Sequence, residues 1–127
     1  MKLGKTSDTS AASHVYEISN ELDNIFLEIE DAYKKVDIEI FFVFRCIPDS
    51  IGRKSMRRYS KKEGVLYLDM VFSEDELKSL SKDEQRVRVS QEFFRFLGES
   101  LGKYDFPGLD ACKFFCDFRE SCKRIGW

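Results

Sequence analysis

The chain has 127 residues: 23 acids, 21 bases, one histidine and 43% hydrophobic residues, with a net charge of −2. That is the length of one domain, apolar enough to bury its own core and neither collagen-like nor disordered in composition. No apolar run approaches the ~20 residues of a membrane-crossing helix, and no apolar h-region follows Lys2 and Lys5 as a secretory signal would require.

Residues 1–13 (MKLGKTSDTSAAS) are small and polar without periodicity and read as a mobile leader ahead of a domain over 14–127. Val15, Ile18, Leu22, Ile25, Phe26, Ile29 and Tyr33 then recur at helical spacing and predict one amphipathic helix of five turns. Its far side carries Glu17, Glu21, Asn24, Glu28 and Asp31, and Lys34-Lys35 places positive charge at its C-terminal end.

Residues 37–47 (DIEIFFVFRCI) are β-branched and aromatic and read as a strand, as do residues 64–72 (GVLYLDMVF). Pro48 to Gly52 supplies turn residues, and the basic stretch after it reads as a loop or a short edge strand near 55–61. Together these segments predict a small antiparallel meander. Alternation places Leu66, Leu68, Met70 and Phe72 toward a core and Val65, Tyr67, Asp69 and Val71 away from it.

Ser73 with Glu76 and Ser81 with Glu84 are two capping boxes, predicting a short helix near 74–80 and a longer one from about 82 to 103. Val89, Phe93, Phe96, Leu97, Leu101 and Tyr104 form the inward stripe of the longer helix. After the Phe106-Pro-Gly break, Leu109, Cys112, Phe115, Cys116, Arg119 and Cys122 outline a last amphipathic helix. The fold expected is α+β in a single domain: an N-terminal helix, a small antiparallel sheet and C-terminal helices packed on it.

Candidate chemistry is sparse. His14 stands at the edge of the leader, a poor place for a rigid catalytic base, and no Gly-rich phosphate loop or zinc-protease motif occurs. Cys46, Cys112, Cys116 and Cys122 lack the paired spacing of zinc ligands and read as buried structural thiols of a reducing compartment. No catalytic residue, metal or cofactor is expected, and the chain is read as a non-enzyme.

Charge layout says more than the sum. Residues 14–40 hold eight acids against two lysines, a balance of −6, while 45–62 hold seven bases against one acid, a balance of +6. A single-sign face orients an oppositely charged partner. The acidic stripe, with Asp69, is therefore the candidate binding surface. Arg53, Lys54, Arg57, Arg58, Lys61 and Lys62 around Met56 and Tyr59 form an alternative patch suited to phosphate contact and base stacking. The alternative function is a small nucleic-acid-associated regulator, disfavoured by the overall acidity.

Residues 65–104, in which VLYLDMVF runs into SEDELKSLSKDEQRVRVSQEFFRFLGESLGKY, resemble the strand-then-helix core of small immunity proteins of bacterial polymorphic toxin systems, including contact-dependent growth inhibition. The resemblance implies a cytoplasmic, non-enzymatic protein that binds the C-terminal domain of a cognate toxin and occludes its active or substrate-binding surface. Such a toxin is often a basic nuclease, which Glu17, Glu21, Asn24, Glu28, Asp31 and Asp69 would complement. No membrane partner is implied.

Overall fold

The computed structural model describes residues 1–9, 13–48 and 52–127. The expected turn at 48–52 and the end of the expected leader fall partly outside these residues. Four strands form one sheet: β1 (Lys2–Asp8), β2 (Glu39–Ile47), β3 (Met56–Ser60) and β4 (Val65–Ser73), in the order β1-β2-β4-β3. Helices α1 (Val15–Asn20), α2 (Asp23–Ala32), α3 (Glu74–Leu77), α4 (Lys82–Lys103) and α5 (Ala111–Cys122) complete the α+β architecture, with a 3-10 turn at Lys123–Ile125.

The sheet is mixed where an antiparallel meander was expected. β1 pairs with β2 and β2 with β4 in parallel; only β3 with β4 is antiparallel. Alternation of side chains fixes which face a residue occupies but is blind to strand direction. The β3–β4 hairpin closes at Gly64, whose φ of +68° suits a residue without a Cβ. Its N–H donates to the Ser60 carbonyl at 2.8 Å.

The mobile leader is corrected over its first part: Lys2–Asp8 is the edge strand β1. Leu3 is buried, and Lys5 extends along the helical side to pair with Asp23 at 3.1 Å and Asn20 at 2.8 Å. At the outer edge, the Leu3 N–H donates to the Glu30 carboxylate at 2.6 Å. A polar edge strand with one wet face has no hydrophobic period to announce it.

The expected first helix is two helices, α1 and α2. At the break, Glu21 and Leu22 donate to the carbonyls of Ile18 and Ser19, a tighter three-residue spacing. Both residues stay near helical φ/ψ, so the apolar period survives and Val15, Ile18, Leu22, Ile25, Phe26 and Ile29 are all buried.

α4 spans the expected residues, and its capping box is complete: Ser81 Oγ accepts from the Glu84 N–H while Glu84 accepts from the Ser81 N–H. Val89, Phe93, Phe96, Leu97 and Leu101 are buried as expected; Tyr104 is half-buried. α3 is a single turn, with Ser73 Oγ accepting from the Glu76 N–H at 3.1 Å. Glu76 extends instead to Arg88 at 2.7 Å. Gln85 is buried and ties three segments together: its Nε2 donates to the carbonyls of Leu77 and Leu80, and its Oε1 accepts from the His14 N–H.

Helices α1 to α4 pack on the side of the sheet formed by Ile40, Phe42, Phe44, Leu66, Leu68 and Met70, and α5 packs on α2 and α4. Phe42 links three helices, with ring centroids 4.9 Å from Phe93, 5.4 Å from Phe26 and 6.4 Å from Phe118. Such offset and edge-on aromatic pairs add to area burial. The inward face of α5 is Phe114, Phe118 and Cys122; Cys112 and Cys116 are exposed, correcting the buried-thiol expectation for that pair. Helical spacing fits either stripe of α5, and the two rings bury more apolar surface than two thiols.

Candidate interaction surface

The acidic stripe lies on the exposed sides of α1 and α2, and most of it is already matched. Glu17 pairs with Lys82 at 3.0 Å and Glu21 with Arg86 at 2.9 Å. Glu28 pairs with Arg124 beyond the end of α5. The Lys82 ammonium, donating to Glu17, holds its carboxyl below the usual range, and Glu21 in turn raises the Arg86 guanidinium. Asn24 and Asp31 are exposed, and among the described residues Asp31 has no ion-pair partner. The bases come from α4 and the C-terminus, far away in sequence, so a count along the chain overstates the negative field.

Asp69 belongs to a different surface. It lies on the sheet face opposite the helices, as alternation predicts, half-buried between two cations. Arg45 Nε donates to it at 2.9 Å and Arg53 at 3.3 Å, while Arg45 also reaches Asp8 at 3.5 Å. Among the described residues no helix covers this face.

Its side chains are ordered in cross-strand rows. Gly4, Phe41, Tyr67 and Arg58 stand in register across all four strands, and Thr6, Val43, Asp69 and Met56 form the next row. Phe41 and Tyr67 meet edge-on at 6.1 Å, and the Arg58 guanidinium lies 4.7 Å above the Tyr67 ring. Met56 is 66% exposed. Sequence reasoning placed Asp69 and Tyr67 away from the core but grouped Asp69 with the acidic stripe, which lies on the helical side. The parallel neighbour that brings Phe41 beside Tyr67 had no signal in the chain.

The basic segment is dispersed by the same pleat. Arg57 turns to the helical side, donating to Glu99 at 2.8 Å with its guanidinium 4.4 Å from the Phe96 ring centroid. Arg53 is held by Asp69 and Arg58 by Tyr67, leaving Lys54, Lys61 and Lys62 exposed around the hairpin. These six cations do not form one continuous strip.

A family model described as immunity protein 44 matches residues 1–124. The chain belongs to the immunity protein 44 family. No curated protein and no solved structure matches the chain. The match takes in β1 and ends within the 3-10 turn, so the edge strand lies inside the matched region of this immunity protein. An immunity protein implies toxin neutralisation and a toxin partner, generally without enzymatic activity of its own. Among the described residues, no helix of this family member is long and apolar enough to cross a membrane.

Proposed function

We propose that this immunity protein neutralises its toxin by occlusion: it binds the cognate toxin's C-terminal domain in the bacterial cytoplasm and covers the active or substrate-binding surface, with no bond-making of its own. What supports the reading is the match to an immunity-protein family over residues 1–124, almost the whole chain. Steric inhibition asks for a rigid preformed face, and the four-stranded sheet over its phenylalanine core supplies one.

We propose further that the toxin is a nuclease, of the kind deployed in contact-dependent growth inhibition. The support is the acidic side of the molecule, since a nuclease holds its substrate in a basic groove. Asp31 and Asn24, exposed on α2, would steer that groove during encounter, ahead of the tight contact. Glu17, Glu21 and Glu28 would add less to that steering, because Lys82, Arg86 and Arg124 already pair with them. Exposed charges of this kind speed encounter more than they tighten the final complex.

The test is growth of cells producing the cognate toxin domain with and without this chain, followed by inspection of their DNA and RNA. Rescue of growth together with protection of nucleic acid is expected. Toxicity undiminished by the chain would sink the occlusion reading, and rescue with nucleic acid intact in the unprotected cells would sink the nuclease.

A further inference from the structure

The open face of the sheet is the one large surface of the described fold that presents aromatic, methionine and arginine side chains together. Four strands at ~4.8 Å spacing and nine-residue central strands give it roughly 500 Å² in projection. That is the order of the ~800 Å² a partner contributes to a standard interface once side-chain relief is counted. Residues of these types are enriched where interface energy concentrates.

The electrostatics state what kind of partner fits. Asp69 takes Arg45 and Arg53, and Asp8 takes Arg45 again, so the upper part of the face is matched within the chain. Arg58 is different. It stacks on Tyr67, and among the described residues it makes no ion pair. The aromatic ring fixes the guanidinium in place and leaves its donors turned to solvent, ready for a carboxylate. A phosphate backbone laid along the same face would find Arg45 and Arg53 already engaged by Asp69 and Asp8, so little free positive charge is left for it. A protein is favoured over a nucleic acid.

We infer that the toxin domain docks on this open sheet face, seating an apolar side chain against Phe41 and Tyr67 and a carboxylate against Arg58. The inference rests on the toxin-neutralising reading above and assigns its surface. The anchors then lie on the sheet, and the acidic helices α1 and α2 stand on the other side of the molecule, outside the tight contact.

The experiment titrates the purified C-terminal domain of the cognate toxin against the wild-type protein and three variants. Arg58→Glu reverses the unpaired cation and Met56→Asp places a charge on the same face; both positions are exposed, and unchanged thermal midpoints check the fold. Glu28→Lys alters the helical side. The two sheet variants are expected to weaken binding by roughly tenfold or more, and Glu28→Lys to leave the dissociation rate unchanged. Wild-type-strength binding by both sheet variants overturns this face while leaving toxin neutralisation standing. Failure of the wild-type protein to bind the toxin domain removes the underlying reading and the inference with it. Binding of a single-stranded RNA oligonucleotide that is lost in Tyr67→Ala overturns the choice of a protein partner.

Discussion

Phe41 lies against Gly4, with a ring carbon 3.0 Å from where a Cβ on Gly4 would stand. The glycine is what allows an aromatic ring on β2 to extend sideways over the edge strand and join Tyr67 in a single row.

Gly4→Ala therefore pushes the Phe41 ring out of its place. The clash costs about 1–2 kcal/mol, and the reduced freedom of the unfolded alanine chain offsets about 0.5 kcal/mol of it. A lower urea midpoint with an unchanged m-value is expected. A midpoint equal to wild type would show that the ring swings aside without cost.

Gln85 is buried with both ends of its amide engaged, joining α3, α4 and the residue ahead of α1. Gln85→Leu fills the same space but strands the His14 N–H and the Leu77 carbonyl. A loss of about 1–3 kcal/mol is expected in chemical denaturation. A neutral substitution would mean that water reaches those groups.

Glu84 gives the molecule an acid-sensitive helix start. The Ser81 N–H, bonded to its carboxylate, holds its pKa below the usual 4.5. A group depressed by folding contributes stability above its unfolded pKa and loses it as pH falls through the folded value. Wild-type stability should fall more steeply than that of Glu84→Gln as pH drops below 4.5. Parallel curves for the two proteins in acid urea titrations would remove this carboxylate from the acid response.

The four thiols divide by placement. Cys112 and Cys116 are exposed on α5, whereas Cys46 and Cys122 are buried. Burial pushes the Cys122 thiol up to about 12, so its thiolate is scarce at neutral pH. Ellman's reagent should label Cys112 and Cys116 rapidly in the folded protein and the other two only on unfolding. Fast reaction at Cys122, read by mass spectrometry, would contradict the packing of α5 onto the core.

Where physical cause is local, the chain can be read. The strand cores at 39–47 and 65–73, the Ser81 box and the stripe of α4 are short-range patterns, and each is found in its expected place. The side of Asp69 follows from alternation alone. Strand direction and order were not legible, because parallel pairing of β1, β2 and β4 depends on how connections cross the sheet. β1 was hidden by its polar wet edge, and α5 offered two stripes of equal period. The acidic stripe illustrates the same limit, since Lys82, Arg86 and Arg124 reach it only through tertiary packing.

The carboxylate of Glu30, closed over the Leu3 N–H, has a consequence for life at high concentration. An exposed strand margin is a template on which a second molecule can crystallise its own backbone, and chains overproduced in a cell meet such templates constantly. Here a newcomer must first evict a negative charge from its donor. At this end of β1 the outer seam is latched.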